Sequence, residues 1–265
     1  VVVTGAASGI GRALAQQLSM QGANLALSDV NMEALEETAS ILRGTGKVTL
    51  QKLDVADRGA WEAYAEQVKA DHGQVDMIIN NAGVALSETV ERMSYEDMEW
   101  IVNINFWGVV YGTKSFLPLL KERPESAIVN VSSIFGIIAL PTQAAYNATK
   151  FAVRGFTESL RQELKDTNVF VTTVHPGGIK TNIVRNGRMK TSMTGDNQTL
   201  EQQAKHFEKI AKTTPAQAAD TILEGVKGGK RRILIGSDAR LMDRIQRLFP
   251  VHYSDIFGWA LKKLG

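Results

Sequence analysis

Short β-branched apolar runs alternate with amphipathic stretches through most of the chain. In runs such as Val1–Val3 and Ala127–Val129, successive residues are apolar and do not alternate with polar ones. This is typical of strands buried on both faces of a parallel sheet. In chain order the predicted strands are Val1–Val3, Leu25–Val30, Val48–Leu53, Val75–Asn80, Ala127–Ser132, Val169–Val174 and Arg232–Gly236. Helical spacing of apolar residues predicts the helices Ile10–Leu18, Met32–Leu42, Ala60–Asp71, Met93–Glu122 and Tyr146–Lys165.

Strands separated by helices imply right-handed βαβ units. We therefore predict the α/β class, with about seven parallel strands in a doubly wound, Rossmann-type sheet between two helical layers. No linker-like change of composition divides the chain, so we predict one domain over residues 1–265. The polar segment at about 182–215 interrupts the alternation, carries two helix-like pieces, and is expected to be inserted in that domain.

Composition narrows the class of protein. Of 265 residues 44% are hydrophobic and 22% are charged, which excludes a disordered or fibrous chain. The net charge of +2 is too small to indicate a basic surface that binds nucleic acid. The four histidines lack ligand spacing, so no metal is expected. The absence of cysteine excludes disulfides and thiolate chemistry and fits a reducing, cytoplasmic location.

A glycine-rich turn joins the first strand to the first helix. Thr4–Gly11 has the sequence TGAASGIG, in which Gly5, Gly9 and Gly11 let the backbone turn tightly and approach a pyrophosphate. The helix that follows offers free N–H groups and the positive end of its dipole. The spacing differs from the G-x-G-x-x-G fingerprint. The alternative is a plain tight turn, but the position in the first βαβ unit favours nucleotide binding.

An acidic residue ends the second predicted strand. Asp29 follows Gly11 by 18 residues, close to the ~20-residue offset of the acid that binds an adenosine ribose. A carboxylate there accepts from free hydroxyls and repels a 2′-phosphate. Val30 supplies no cation, and Arg12 is expected on the solvent face of its helix. NAD is therefore favoured over NADP, the alternative being a simple turn aspartate.

Tyr146 and Lys150 stand four residues apart, on one face of a predicted helix. An ordinary phenol titrates near ~10, and a nearby ammonium is expected to lower that pKa towards a useful base. The spacing alone fits a surface helix equally well. Ser133, directly after a strand, and Asn105, on the preceding long helix, add a hydroxyl and an amide to the set.

With these motifs in order, the whole chain resembles the compact, single-domain branch of the short-chain dehydrogenase/reductase family. The matching segments are the turn Thr4–Gly11, Asp54-Val55, Asn80–Gly83, Asn105, Ser133, Tyr146 with Lys150, and Pro176–Thr181. The extended branch usually has Thr-Gly-x-x-Gly-x-x-Gly, which this chain lacks.

The resemblance implies a role for each residue. Tyr146 is the general acid/base, Lys150 lowers its pKa and holds the nicotinamide ribose, and Ser133 binds the substrate oxygen. Asn105 supports a water that links Lys150 to solvent. The dinucleotide is expected to contact Gly5, Ser8, Gly9, Ile10, Gly11, Asp29, Val30, Asp54, Val55, Asn81, Ala82, Gly83, Tyr146, Lys150, Pro176, Gly177, Ile179 and Thr181.

The expected function is NAD-dependent hydride transfer between the nicotinamide and a secondary alcohol or ketone. The alternatives are an NADP-linked ketone or acyl-chain reductase and a non-catalytic NAD-binding redox sensor. The resemblance also implies that the 182–215 segment closes over the substrate. Phe135, Ile137, Ile138 and Leu140 can form an apolar wall or core packing. Arg185, Arg188 and Lys190 are expected on a solvated face rather than on an acidic substrate.

The C-terminal end is basic and then apolar. Its cations are Lys227, Lys230, Arg231, Arg232, Arg240, Arg244 and Arg247, and its apolar residues are Tyr253, Ile256, Phe257, Trp259 and Leu261. Packing on the core or in a subunit interface is favoured over a membrane surface, which such a pattern can also bind. The resemblance implies a homodimer or homotetramer, often built on the helices that hold Asn105 and Tyr146.

Overall fold

Seven parallel strands form the centre of the computed structural model, which describes residues 1–192 and 199–256. In chain order the strands are β1 (Val2–Thr4), β2 (Leu25–Asp29), β3 (Val48–Lys52), β4 (Met77–Asn80), β5 (Leu86–Ser87), β6 (Ser126–Val131), β7 (Val169–Pro176), β8 (Arg188–Met189) and β9 (Arg232–Ile235). The main sheet has the order β3-β2-β1-β4-β6-β7-β9, and β5 pairs with β8 separately. The predicted doubly wound α/β class is confirmed.

Helices cover both faces of this sheet. They are α1 (Gly9–Met20), α2 (Met32–Ser40), α3 (Arg58–His72), α4 (Tyr95–Val102), α5 (Gly108–Lys121), α6 (Ala144–Glu163), α7 (Leu200–Ile210), α8 (Pro215–Lys227) and α9 (Ser237–Leu248). One apolar core joins α1, α2 and α8 to the sheet, and a second core joins α3, α5 and α6 to the opposite face. The sheet is thus buried on both sides, which explains its continuous apolar runs.

The strands β1 and β4 are neighbours in the sheet. The chain adds β2 and β3 on the far side of β1, and it adds β6, β7 and β9 on the far side of β4. The segments after the carboxyl ends of β1 and β4 therefore border one crevice, which is where ligands bind in open parallel sheets. Ser133 follows β6 and Gly177 follows β7 at the same edge. The fold brings the motifs found in the sequence to one side of the molecule.

The single helix predicted over Met93–Glu122 is wrong in detail. Ser94 Oγ accepts a hydrogen bond from the Asp97 backbone N at 3.2 Å, and this cap starts α4 at Tyr95. A π-helical turn over Asn103–Trp107 then separates α4 from α5. Such a turn holds one extra residue and interrupts the α-helical spacing for one turn, and the chain stays helical on both sides of it.

The 182–215 segment was expected to carry two helix-like pieces, and its described residues, 182–192 and 199–215, contain turns, a short strand and a helix. Residues 182–187 form turns, β8 follows, and α7 is the helix within the described part of the segment. The helix α9, which the strand-and-helix pattern did not predict, lies beyond it. Phe257, Trp259 and Leu261 lie outside the described residues. None of the helices described has the length and apolar content needed to cross a bilayer.

Candidate active site

The glycine turn between β1 and α1 needs its glycines for space and for backbone conformation. Gly5 and Gly9 have φ values of +64° and +52°, in the region that side chains disfavour. A Cβ on Gly11 would lie 2.7 Å from Asn81 Nδ2 and closer still to the Gly5 carbonyl oxygen. The turn therefore leaves bare backbone, with Ser8 as the helix N-cap, facing the crevice.

The segment after β4 is tied to this turn. The backbone N–H groups of Asn81 and Ala82 both donate to Thr4 Oγ1 at 3.0 Å. Asn81 Nδ2 donates to the carbonyl oxygens of Thr4 and Gly5 at 2.9 and 3.2 Å. The Asn81 side chain is thus committed to holding two strand ends together, and contact with a ligand falls to its neighbours in the crevice.

Asp29 and Arg12 brace the same turn from the side of β2. Asp29 Oδ2 accepts from Ala7 N at 3.0 Å, which fixes the carboxylate beside the crevice. Arg12 was expected on the solvent face, and this expectation is wrong. Its Nη2 donates to the carbonyl oxygens of Ala7 at 2.6 Å and Ala34 at 3.1 Å. The guanidinium bridges the turn to α2.

The remaining residues expected near the adenine differ in exposure. Val30 is 62% exposed, and Asp54 is exposed with its Oδ1 accepting from Ala56 N at 2.9 Å. Val55 is buried, and its carbonyl oxygen accepts from the Trp61 indole at 3.0 Å. Val55 therefore offers a ligand little surface, whereas Val30 and Asp54 are accessible.

Ser133, Tyr146 and Lys150 converge beyond β6. All three are buried, and Lys150 Nζ lies 5.7 Å from the centre of the Tyr146 ring. Lys150 Nζ donates to the Val131 carbonyl oxygen at 3.1 Å, and Ser133 Oγ accepts from Phe135 N at 3.1 Å. The phenol, the ammonium and the hydroxyl predicted to work together are thus neighbours.

Burial controls the protonation of this group. It raises the pKa of Tyr146 to about 12, while a hydrogen bond with Ser133 acts in the opposite direction. It lowers the pKa of Lys150 to about 8. Loss of solvent thus opposes the lowering of the Tyr146 pKa that was expected from Lys150, and the hydrogen bond with Ser133 offsets only part of it. At neutral pH the phenol carries its proton.

The buried ammonium makes stability depend on pH. Lys150 has a usual pKa of 10.5, so between about pH 8 and about pH 10 the unfolded chain holds a proton that the folded chain has released. The free energy of unfolding therefore rises with pH across that interval, because the cost of burying the charged ammonium is relieved as Lys150 loses its proton. Below about pH 8 that cost is present in full.

We expect Lys150→Met to remove that rise, which amounts to roughly 3 kcal/mol for a shift of this size. Urea unfolding of both proteins at a series of pH values measures it, since the difference between the curves isolates Lys150. Parallel curves for the wild type and the variant would contradict the assignment.

Asn105 lies in the π-helical turn and is buried against the segment after β4. Its Oδ1 accepts from Val84 N at 2.8 Å, and its Nδ2 donates to the Val84 carbonyl at 2.9 Å and to Thr149 Oγ1 at 3.2 Å. A Cβ on Gly83 would lie 3.1 Å from Asn105 Oδ1 and 3.3 Å from Lys150 Nζ. The Asn105 side chain therefore joins the segment around Gly83 to α6, which carries Thr149 and Lys150.

The segment Pro176–Thr181 closes the crevice from β7. Gly178 N donates to Asp238 Oδ2 at 2.7 Å, so α9 fixes this turn. Asp238 was not among the residues predicted for the site. Ile179 has its side chain in the core, which leaves its backbone as the part available to a ligand. Gly177 N donates to the Ile235 carbonyl at 3.0 Å.

A cavity of about 320 Å³ lies between the glycine turn and the segment after β7. Its lining residues are Gly9, Lys180, Thr181, Asn182, Glu208 and Pro215. A Cβ on Gly9 would lie 3.0 Å from Thr181 Cγ2, so a larger residue would fill the space between the two segments. The cavity joins the predicted phosphate turn to the predicted nicotinamide segment, and Ile10 packs behind it against the core.

An apolar cluster surrounds Tyr146. It contains Ala85, Leu86, Ile101, Ala145 and Tyr146, with Val84, Met93, Met98, Trp100, Phe135, Ile183 and Met189 packed against them. The rings of Phe135 and Tyr146 meet edge to face at 6.0 Å. Ile137 and Ile138 are buried in another cluster with Ala239, so core packing accounts for them.

Arg185, Arg188 and Lys190 of the 182–215 segment lie on a partly exposed face, as expected, and each is also paired with a carboxylate. Arg185 Nε lies 3.3 Å from a Glu201 carboxylate oxygen, and Arg185 Nη1 also bonds to Glu208. Arg188 and Lys190 both bond to Asp97. Within residues 1–192 and 199–256, no three acidic or histidine side chains converge as a metal site would require.

Comparison with known proteins agrees with this geometry. A family model described as short chain dehydrogenase matches residues 1–192. The oxidoreductase SadH of Mycobacterium tuberculosis is 45% identical over 266 residues, which cover 99% of this chain and 95% of the relative. A cyclopentanol dehydrogenase of Comamonas testosteroni is 37% identical over 182 residues, which cover 68% of this chain and 73% of that protein.

Solved structures share the fold. A short-chain dehydrogenase/reductase of Burkholderia phymatum, crystallised in complex with NAD, superposes with a TM-score of 0.84 at 27% sequence identity. The alignment covers 93% of this chain and 92% of that chain.

Proposed function

The chain belongs to the short-chain dehydrogenase/reductase family, and from that premise we propose that it transfers a hydride between NAD and a secondary alcohol or ketone. The observation that carries the proposal is the buried group of Ser133, Tyr146 and Lys150 at the carboxyl edge of the sheet. A redox sensor has no need of this set. Turnover of a panel of alcohols and ketones separates the two functions.

The residues around the crevice fit a dinucleotide. The positive φ values of Gly5 and Gly9 and the close packing at Gly11 give the turn its tight shape, and the N-terminus of α1 is proposed to attract the charge of a pyrophosphate. Gly83 and Thr181 border the space between this turn and Lys150. The nicotinamide, when bound, supplies or accepts the hydride. Protein groups then need to provide position and a proton.

Tyr146 is proposed to give that proton to the substrate oxygen in reduction and to take it in oxidation. Its raised pKa keeps the phenol protonated, which suits the donating role. Ser133, hydrogen-bonded to the phenol, is placed to share the same substrate oxygen. Lys150 remains a donor through the protons it does not give to Val131 and is proposed to hold the nicotinamide ribose.

NAD is the proposed form of the cofactor. The Asp29 carboxylate is fixed by Ala7 N and Asn31 N, both at 3.0 Å, at the end of β2. Arg12 is engaged by the turn and by α2, so it is not available to a 2′-phosphate. A negative charge held there with no free arginine beside it disfavours NADP.

We expect Asp29→Asn to shift preference towards NADP, because the amide loses the charge while its one oxygen can still accept from Ala7 N; the acceptor for Asn31 N is lost. Lys52 is the register partner of Asp29 on β3 and supplies a cation on the neighbouring strand. The ratio of kcat/KM for NAD to that for NADP should fall about tenfold, equivalent to roughly 1.4 kcal/mol. An unchanged ratio would exclude Asp29 as the selecting residue.

The proposed substrate is a neutral, largely apolar secondary alcohol or ketone of moderate size. The cluster around Tyr146 is apolar, and the nearby cations of the 182–215 segment are paired with carboxylates. The relative named as a cyclopentanol dehydrogenase acts, by its name, on an alcohol of this kind. The 182–215 segment is proposed to cover the substrate as part of one domain over residues 1–265.

We also propose a homodimer or homotetramer in the cytoplasm. Trp107, at the end of the π-helical turn, stacks on Tyr111 of α5 at 5.6 Å and is 41% exposed, and Phe151 on α6 is 40% exposed. Aromatic side chains of this exposure favour a subunit interface. At the C-terminal end, the Tyr253 hydroxyl accepts from Ala139 N at 3.0 Å, which supports packing on the chain's own core over a membrane role.

A further inference from the structure

A buried carboxylate on α4 holds the strand that follows the active-site crevice. Asp97 is 2% exposed, and its Oδ1 accepts from Arg188 Nη1 at 2.9 Å while its Oδ2 accepts from Lys190 Nζ. Both cations are half exposed, so the acid is the inner partner of the group. Charge-assisted bonds to a desolvated carboxylate are strong and directional. We call Asp97, Arg188 and Lys190 the latch.

Other contacts reinforce the latch along β8. The guanidinium of Arg188 lies 4.0 Å from the centre of the Trp100 ring. The backbone N–H of Arg188 donates to the Ala85 carbonyl at 2.9 Å, and that of Lys190 donates to the Ser87 carbonyl at 3.0 Å. A second buried acid, Glu88, accepts from the Thr191 hydroxyl just beyond. The strand is therefore held by side chains and backbone together.

The residue between the two cations belongs to the site. Successive side chains of a strand point to opposite sides, so bonds from Arg188 and Lys190 to Asp97 turn Met189 the other way. Met189 packs against the apolar cluster that contains Tyr146. A Cβ on Gly187 would lie 2.7 Å from Met189 Cε, which shows how closely the chain confines this side chain.

We propose that Asp97 is a positioning residue that fixes Met189 as one wall of the substrate pocket and thereby selects neutral, apolar substrates. The inference rests on the proposed function, since it assigns the wall to the pocket at Tyr146. The latch also removes two cations that would otherwise attract an acidic substrate. Asp97 is proposed to act through Met189 and not by contact with the substrate.

Limited proteolysis tests the latch without reference to any substrate. Trypsin cuts after Arg188 and Lys190, and paired strands resist cutting because the backbone must first open. Asp97→Asn keeps the side-chain shape and leaves both cations without a charged partner. We expect cleavage at these positions in the full chain to become about tenfold faster. Glu201→Gln, which weakens the exposed pairs with Arg185 and Lys205 and leaves Asp97 untouched, is the matched control and should leave these rates unchanged.

Kinetics test the positioning role. For Asp97→Asn we expect the KM of a neutral alcohol to rise about tenfold, with a smaller change in kcat and none in the KM of the dinucleotide. Lys190→Met, which removes one cation and keeps Asp97 paired with Arg188, should show a smaller shift in the same direction. It supplies the test should Asp97→Asn fail to fold.

Wild-type rates of cleavage after Arg188 in both variants would overturn the latch; position 190 is read only in Asp97→Asn, because Lys190→Met removes that tryptic site. Faster cleavage with an unchanged KM for the alcohol would overturn the positioning role. If the wild type turned over no alcohol or ketone, the proposed function would fail, and the proteolysis result would still decide whether Asp97 holds β8.

Discussion

Tyr146→Phe is expected to lower kcat by about 10²–10⁴-fold, the usual contribution of a positioned general acid/base. The ring of the variant fills the same space against Phe135, and the hydroxyl that would exchange a proton with the substrate oxygen is lost. Lys150 keeps its bond to the Val131 carbonyl, so dinucleotide affinity should survive. Steady-state turnover and a binding titration with the dinucleotide measure the two effects separately.

Tyr95→Phe is the control for this substitution, because Tyr95 is 86% exposed at the start of α4. It should leave both turnover and binding unchanged. A Tyr146→Phe protein that kept most of its turnover would show that the proton moves through another group.

Gly11→Ala is expected to abolish dinucleotide binding and to lower the free energy of unfolding by about 3 kcal/mol, at the upper end of the usual cost of overpacking. The added methyl would overlap the Gly5 carbonyl oxygen and lie 2.7 Å from Asn81 Nδ2. Backbone atoms cannot move aside as a flexible side chain can. The turn and its tie to β4 would both be disturbed. Urea unfolding and a binding titration measure the outcome.

Gly59→Ala provides the matched glycine. Its added Cβ would meet nothing closer than Asp57 Oδ1 at 3.5 Å, on the exposed first turn of α3. An alanine there should keep binding and leave stability unchanged or slightly raised, since alanine favours helix. Equal stability and binding in the Gly11 and Gly59 variants would contradict the close packing of the turn.

Much of the fold follows from the sequence because short apolar runs alternate with stretches of helical spacing along most of the chain. The order of the motifs also predicts the site: Gly5, Asn81, Ser133 and Gly177 lie just beyond the ends of strands, and parallel strands bring their carboxyl ends together. The residue types then suggest the chemistry. These inferences depend on local pattern and on topology, both of which one sequence contains.

Features that depend on contacts between distant parts of the chain could not be predicted from the sequence. Asp97 is paired with cations 91 and 93 residues away, and nothing in its local sequence indicates burial. Arg12 looked like a surface residue until the turn and α2 were placed around its guanidinium. The raised pKa of Tyr146 has the same origin, because the loss of solvent that causes it comes from elements distant in the chain.

The most direct test of the account is turnover by the wild-type chain against neutral secondary alcohols and ketones, with NAD and with NADP, followed by the absorbance of the reduced nicotinamide. Cyclopentanol and its ketone are suitable first members of the panel. We predict turnover of apolar alcohols with a higher kcat/KM for NAD, lost in Tyr146→Phe. A wild-type protein that bound NAD and turned over no member of the panel in either direction would contradict the proposal.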